Sequence, residues 1–192
     1  MTALAQAFQE LLAALNRTET PFVVVGSVAS AAHGLARLTN DIDLVVDLAP
    51  GAVATFCEAL GPGFYADADV LRRAIEAGRP FNVIHLASAY KFDLFPAGND
   101  AFARAELSRR SFTAGGASGL ENVGFPVASA EDTILAKLAW YRKGGEVSER
   151  QWSDILGIVR VQADGLDRSY LKMWAEKLGV LDLLNRALRV SP

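Results

Sequence analysis

Acidic residues at three positions have the spacing that a divalent metal site requires. Asp41 and Asp43 are separated by one isoleucine at the start of an apolar run. Side chains two apart on a strand project from the same face, so the two carboxylates must point together. Carboxylates held that close disfavour each other's ionisation unless a cation lies between them, and hard oxygen ligands suit Mg²⁺ or Mn²⁺. The third acid, Asp93, lies in a mainly apolar run, where a buried carboxylate needs a partner that a metal ion can provide.

A glycine–serine pair has the form of a phosphate-binding turn. Gly26 and Ser27 follow a short run of aromatic and β-branched residues and precede a segment of small residues with helical character. Glycine lets the backbone approach a ligand closely, and the amides and dipole at a helix start favour an anion. An isolated Gly-Ser pair is more often a plain turn, and a bare Asp-x-Asp is more often a solvated strand edge or a pair of caps. The combination of the two motifs with Asp93 favours a functional site.

These residues resemble a motif of the nucleotidyltransferase superfamily, which has the DNA polymerase beta-like fold. Gly26-Ser27, thirteen further residues and the pair Asp41 and Asp43 are similar to the family's glycine-serine and paired-acid motif, and Lys-Phe-Asp ending at Asp93 is similar to its later strand. The closest part is residues 25–44, VGSVASAAHGLARLTNDIDL. The chain most resembles the minimal members and the AbiEii-like toxin branch.

The resemblance implies a transfer of a nucleoside monophosphate from a nucleoside triphosphate such as ATP, with release of pyrophosphate. Asp41, Asp43 and Asp93 would be catalytic and would hold two ions of Mg²⁺ or Mn²⁺, with Asp93 nearest the attacking group. The acceptor stays open among a small molecule, a protein and an RNA end, because one fold serves several functions. A homodimer or an antitoxin-like protein partner is also compatible with this family.

Two basic residues are further candidates for nucleotide binding, besides Gly26 and Ser27. Arg37 carries a planar guanidinium that suits phosphate oxygens, or it pairs with the acids that follow it. Lys137 binds phosphate, or it is a solvated cation on a helix whose other face is core. Asp154 lies on a segment similar to the family's later helices, and the alternative is a pair with Arg150 one turn earlier.

Other conspicuous side chains have a structural interpretation. His33 and His85 are expected to pack or to cap rather than to act as bases or ligands. Aromatic residues at helical spacing are usually core, and this is expected of those in the C-terminal part of the chain, namely Trp140, Tyr141, Trp152, Tyr170 and Trp174.

The elements around the motifs predict an α+β fold. Strands are predicted over residues 22–25, 41–46, 81–86 and 90–95, the last two as an antiparallel hairpin. Helices are predicted over the N-terminal 17 residues, after Ser27, over 51–60 and 69–77, over 99–109 with Asn99 as the cap, and in four pieces from Ser129 onward. The segment TAGGASGLENVG is predicted to be a loop. The result is a small mixed nucleotidyltransferase-type sheet flanked by helices over residues 1–127, followed by a helical subdomain over residues 128–192 packed against it.

Composition limits the alternatives. Hydrophobic residues make up 51% and charged residues 21%, which is typical of a folded chain, and a net charge of −3 gives no global positive field for nucleic acid. Cys57 is the only cysteine, which excludes an internal disulfide and a thiolate zinc site. No apolar run approaches the roughly 20 residues of a membrane span, and the N-terminus lacks a secretory signal pattern. We therefore expect a cytoplasmic protein without a membrane partner.

Two other functions remain open at this stage. One is a catalytically silent nucleotide-binding or regulatory module of the same fold that acts through a protein partner. The other is a structural domain whose acids are surface caps. The presence of all three acids favours the enzyme, because acids without a metal repel a triphosphate.

Overall fold

The structure is a computed structural model that describes residues 2–35, 41–114, 119–120 and 122–190. Its first helix, α1 (Ala3–Arg17), begins where Thr2 Oγ1 accepts a hydrogen bond from the Ala5 amide at 3.1 Å. Apolar residues at helical spacing, including Phe8 and Leu11, are fully buried on one face of α1. The predicted N-terminal helix is therefore confirmed.

The strands of the described residues form one mixed sheet in the order β3-β4-β5-β2-β1-β7-β6. Pairing is parallel between β2 and β5 and between β1 and β7, and antiparallel elsewhere. The strands are β1 (Phe22–Val25), β2 (Ile42–Val46), β3 (Phe64–Tyr65), β4 (Phe81–His85), β5 (Lys91–Pro96), β6 (Ser111–Ala114) and β7 (Gly124–Val127).

Helices connect these strands and continue to the end of the described chain. They are α2 (Gly26–His33), α3 (Val53–Leu60), α4 (Ala68–Glu76), α5 (Ala101–Arg109), α6 (Ala130–Lys143), α7 (Glu149–Gln162), α8 (Arg168–Lys177) and α9 (Leu181–Val190). Short 3-10 helices precede α3 and follow α7. The predicted α+β class, with a mixed sheet followed by helices, is confirmed.

The two faces of the sheet have different roles. Ile42 on β2 and Phe92 on β5 are fully buried in a core shared with α1, α3 and α4. Because side chains alternate along a strand, Asp43 and Asp93 project from the opposite face. That face is covered in part by α5, whose Leu107 packs with residues of β1 and β2.

The helices α6 to α9 have a core of their own. Their buried residues, such as Leu138 and Ile158, pack together, and Phe102 and Ala105 of α5 pack against them. Helix α5 therefore contacts both the sheet and the C-terminal helices. The division of the chain into domains 1–127 and 128–192 stays a prediction.

Three local predictions are wrong. Helix α5 is capped by Asp100 rather than Asn99, since the Asp100 carboxylate accepts hydrogen bonds from the amides two and three residues later, both at 2.8 Å. The predicted loop contains the end of β6 and the start of β7; its residues 115–118 and 121 lie outside the described residues. The two-residue strand β3 was not predicted at all.

Strand β7 was missed because Gly124 and Pro126 disfavour a strand locally. Its conformation is decided instead by pairing with β6 and β1.

In the described part of the chain, no helix combines the length and the apolar character that a membrane span needs.

Candidate active site

A cavity of about 820 Å³ lies between the acid-bearing face of the sheet and helices α5, α6 and α7. Its volume is within the range of ligand sites in proteins. The residues that the sequence singled out meet there although they are far apart in the chain, and they are Gly26, Ser27, Asp41, Asp43, Asp93, Lys137 and Asp154.

The two strand acids lie side by side. Asp43 on β2 is the register partner of Asp93 on the parallel strand β5, and Asp41 directly precedes β2 and lines the same cavity. Burial and, after it, the charges of Asp93 and Asp41 raise the pKa of Asp43 to about 6, although Lys137 and Lys91 act in the opposite direction. The site therefore holds negative charge that an added cation would stabilise.

Gly26 is required by the geometry of this acid pair. Its φ of +64° lies in the left-handed region, which side chains with a Cβ rarely adopt. A Cβ at this position would also overlap the carboxylate of Asp43. Glycine is thus needed both for the turn between β1 and α2 and for the close approach of Asp43.

Ser27 lies in the first turn of α2 and borders the cavity. Helix α2 has no side-chain cap at its start. The first amides of a helix lack partners within the helix and carry the positive end of its dipole. Ser27 and these amides are therefore suited to phosphate oxygens.

Asp93 has a protein partner that the sequence analysis did not anticipate. Lys91 Nζ lies 2.9 Å from Asp93 Oδ2, and the hydrogen bond between them raises the pKa of Lys91 above its ordinary value. The partner that the sequence predicted Asp93 to need is thus supplied in part by Lys91, and the metal site stays a prediction. Lys91 was detectable from its position two residues before Asp93, which places both on one face of a strand.

The carboxylate oxygens of Asp41, Asp43 and Asp93 are chemically suited to a divalent cation, but the three side chains do not form a preformed three-ligand site. Within the described ranges, no three His, Cys, Asp or Glu side chains are placed so that they could hold one ion together. Mg²⁺ is commonly held by only one or two carboxylates together with substrate phosphates and water. The hard oxygens of Asp41, Asp43 and Asp93 suit such a site, and a bound cation would offset the burial and the neighbouring charges that raise the pKa of Asp43.

Lys137 is buried, contrary to one interpretation of the sequence. Its ammonium lies 2.9 Å from Asp154 Oδ2, and the two side chains are 9% and 11% exposed. The solvated-cation alternative is therefore wrong, and this pair joins α6 to α7 at the cavity wall. Lys137 also acts electrostatically on Asp43. Arg37, the other basic candidate, lies outside the described residues.

One of the aromatic residues in the C-terminal part of the chain does not belong to the core. Trp140 is 49% exposed, lines the cavity and makes an edge-to-face contact with Phe95 at a centroid distance of 6.3 Å. Tyr141 and Trp174 are buried as expected. Trp140 differs because it lies on the side of α6 that faces the cavity rather than the other helices.

The two histidines pack as expected. His33 Nε2 lies 2.6 Å from the carbonyl oxygen of Ala128, which ties α2 to the start of the C-terminal helices. His85 Nδ1 lies 2.7 Å from Ser88 Oγ, and its ring packs against Phe64.

A further acid at the cavity was missed. Glu106 on α5 is only 5% exposed and lines the cavity on its α5 side. Nothing in the segment AFARAELSR distinguishes this glutamate from a surface residue, since its burial depends on the contact of α5 with α6.

Comparison with known proteins supports the fold. No protein-family model and no curated protein matches the sequence. Among solved structures, the crystal structure of ANT(2")-Ia in complex with adenylyl-2"-tobramycin has 17% identity and a TM-score of 0.54, covering 93% of this chain and 98% of that one. The solution structure of the antibiotic-resistance factor ANT(2'')-Ia has 18% identity and a TM-score of 0.50, covering 97% and 92%. A nucleotidyltransferase-like protein from Paracoccidioides brasiliensis has 13% identity and a TM-score of 0.52, covering 98% and 94%.

These likenesses establish that the chain has the nucleotidyltransferase fold. The resemblance inferred from the two acid motifs and the glycine–serine turn is thereby confirmed for the superfamily fold. The AbiEii-like branch stays a prediction.

Proposed function

We propose that this chain, which has the nucleotidyltransferase fold, is a metal-dependent nucleotidyltransferase that moves a nucleoside monophosphate from a nucleoside triphosphate to an acceptor hydroxyl. The observation that carries the proposal is the in-register pair Asp43 and Asp93 beside the Gly26 turn, in a cavity large enough for a nucleotide. A structural domain has no need of two adjacent, partly buried carboxylates, because their repulsion costs stability.

The start of α2 would bind the triphosphate. Ser27 and the first amides of the helix donate hydrogen bonds to phosphate oxygens, and Lys137 adds positive charge from α6. Arg37 is proposed to contact the phosphates as well. In this arrangement residues 1–127 supply the acids and the turn, and residues 128–192 supply Lys137 and close the cavity.

Asp41, Asp43 and Asp93 would hold Mg²⁺ or Mn²⁺. When bound, these ions neutralise the charge of the phosphates and stabilise the attacking and leaving oxygens of an in-line displacement. In the transfer, a bond forms between the acceptor oxygen and the α-phosphorus, and the bond from that phosphorus to the β-phosphate oxygen breaks. Pyrophosphate leaves, and Asp93, the acid proposed to lie nearest the acceptor, takes the hydroxyl proton.

The donor and acceptor are proposed from one of the similar structures. That ANT(2")-Ia structure holds adenylyl-2"-tobramycin, in which an adenylyl group is joined to a small molecule. ATP is therefore the first donor to test, and a small-molecule hydroxyl the first acceptor, ahead of a protein side chain or an RNA end. A cytoplasmic location and a homodimer or antitoxin-like partner stay predictions.

The test is transfer of label from each of the four α-³²P-labelled nucleoside triphosphates to tobramycin, to the protein itself and to short RNA, with Mg²⁺ or EDTA. We expect a labelled product and pyrophosphate only with the metal, and neither with Asp43→Asn. Label transfer that survives EDTA or Asp43→Asn would contradict the proposal.

A catalytically silent nucleotide-binding module is the second candidate. It is favoured by the ion pair between Lys91 and Asp93, because an ammonium already neutralises one of the acids. This candidate predicts saturable triphosphate binding without transfer to any acceptor in the same panel.

A further inference from the structure

Glu106 is a buried acid that the proposed transfer step does not use. It is 5% exposed, and it forms no hydrogen bond or ion pair with any residue that the structure describes. Among those residues, Arg142 Nε is the only fully enclosed side-chain polar atom without a hydrogen bond, and it forms an ion pair with Glu146. The oxygens of Glu106 therefore keep contact with open space, and the open space beside Glu106 is the cavity.

The surroundings of Glu106 leave it uncompensated. Burial, together with the charges of Asp132 and Asp100, raises its pKa to about 8. At neutral pH the carboxyl group is therefore mostly protonated. A buried group kept in its uncharged form is available to ionise when a cation arrives.

The charged groups packed around Glu106 are already engaged with one another. Arg109, on the same helix, contacts Glu131 at 3.2 Å and Asp132 at 3.4 Å, and its guanidinium stacks 3.8 Å over the ring of Tyr170. Tyr170 in turn donates a hydrogen bond to Asp132 at 2.6 Å. Asp100 caps the start of α5. The nearest cation in this group is thus committed to two other acids.

This side of the cavity also carries aromatic side chains, beside the polar residues Asn99, Asp100, Thr133 and Lys137. Phe102 and Trp140 line it together with Phe95 on β5. Aromatic faces attract cations, and an anion would be repelled by Asp100 and by the strand acids. A neutral hydroxyl can accept a hydrogen bond from the protonated Glu106, but it does not stabilise the ionised carboxylate as a cation does. The chemistry that satisfies all these groups is an ammonium.

We propose that the α5 side of the cavity is a subsite in which Glu106 binds an ammonium group of the acceptor. The acceptor is then a cationic small molecule that carries both an amine and the hydroxyl to be modified. The identification of this ligand as the acceptor rests on the proposed function, whereas the binding of an ammonium at Glu106 does not. Binding is coupled to loss of the Glu106 proton, which passes to the solvent.

Isothermal titration calorimetry in two buffers of different ionisation enthalpy tests this without nucleotide or metal. The probe is 2-deoxystreptamine, a cyclic diamine with three hydroxyl groups, and the neutral control is myo-inositol. At pH 7 we expect release of close to one proton per molecule bound, and about tenfold weaker binding at pH 6, because the cation must displace the proton. Binding without proton release, or equal binding of myo-inositol, would overturn the proposal.

Glu106→Gln keeps the shape of the side chain and removes its charge. We expect it to weaken 2-deoxystreptamine binding at least tenfold and to abolish proton release. Glu176→Gln, the same change on the exposed surface of α8, should behave as the unmodified protein. Unchanged binding in Glu106→Gln would contradict the subsite, and the proton release of the unmodified protein remains a test even if this variant folds poorly.

The subsite and the transfer reaction fail separately. Asp43→Asn should lose label transfer yet bind 2-deoxystreptamine with proton release, since Asp43 is not among the groups that act on Glu106. Proton-linked binding in a protein that transfers no nucleotide would leave the subsite standing and refute the proposed function. Transfer without any amine binding would do the reverse.

Discussion

Asp43 and Asp93 are register partners on two neighbouring parallel strands, so their side chains project from the same face of the sheet into one cavity. The arrangement follows from the alternation of both strands, in which Ile42 and Phe92 face the opposite core. The carboxylates of Asp43 and Asp93 are thus adjacent, although the packing of the sheet does not require acidic residues at these two positions. A function for the pair explains why this electrostatic cost is tolerated.

Gly26→Ala should destabilise the protein and disturb the acid pair. A positive φ costs a residue with a Cβ about 1–2 kcal/mol, and the overlap with the Asp43 carboxylate adds to that cost. We expect a lower free energy of unfolding in urea and loss of triphosphate binding. Gly179→Ala is the control, because Gly179 has a φ of +69° but nothing within 4 Å of an added Cβ. Equal losses of stability in the two variants would contradict the overlap with Asp43.

Asp43→Asn should separate stability from activity. Because burial and neighbouring acids raise the pKa of Asp43 to about 6, its charged form is disfavoured in the fold at neutral pH. Removing the charge should stabilise the metal-free protein by roughly 1–2 kcal/mol at pH 7.5 while it abolishes metal-dependent transfer. Chemical denaturation in EDTA and the label-transfer assay measure the two effects. Asp164→Asn, an exposed change, should alter neither, and a destabilised Asp43→Asn would contradict the repulsion argument.

The metal-free protein should lose stability as the pH rises from about 4.5 to 8. Glu106 has a folded-state pKa raised to about 8, so between its ordinary value and 8 the folded state binds more protons than the unfolded state. Its stabilising contribution is complete below the ordinary pKa and is lost as the pH passes through the folded one. Urea unfolding at several pH values should show a slope that Glu106→Gln reduces by roughly 2–4 kcal/mol over this range. A slope unchanged in Glu106→Gln would show that other groups cause it.

Lys91→Met should strengthen metal binding in the absence of nucleotide. The Lys91 ammonium forms an ion pair with Asp93 Oδ2 and therefore competes with any other cation for that oxygen. We expect the Kd for Mn²⁺, measured by electron paramagnetic resonance, to fall about threefold to tenfold. The free energy of unfolding should change by less than about 1 kcal/mol, since Lys91 is half exposed and such pairs contribute little. Weaker Mn²⁺ binding would instead assign Lys91 a supporting role in the metal site.

Features that depend on neighbours along the chain were readable from the sequence. The alternation of β2 predicted the face from which Asp43 projects, and the sequence predicted the N-terminal helix that is found as α1. Each of these depends on a periodicity of a few residues. Asn99 and Asp100 are adjacent and both are good N-caps, so local preference could not show which of them caps α5.

Features that depend on distant partners were decided by the tertiary structure. Strand β7 contains a glycine and a proline and exists because it pairs with β6 and β1. The sequence left Lys137 open as either a solvated cation or a phosphate ligand. The structure shows that the packing of α7 on α6 buries it beside Asp154. The burial of Glu106 and the exposure of Trp140 likewise depend on which side of a helix faces the cavity.

The sequence by itself determined most of the helices, the strands β1, β2, β4 and β5, the side of β2 from which Asp43 projects, and the glycine–serine turn after β1. The tertiary structure alone decided that Asp43 meets Asp93, that Lys91 reaches Asp93 at hydrogen-bond distance, and that Glu106 is buried at the cavity wall without a hydrogen bond. The reason is physical: periodicity and capping act over a few residues, whereas desolvation and charge pairing depend on distances between residues that are remote along the chain.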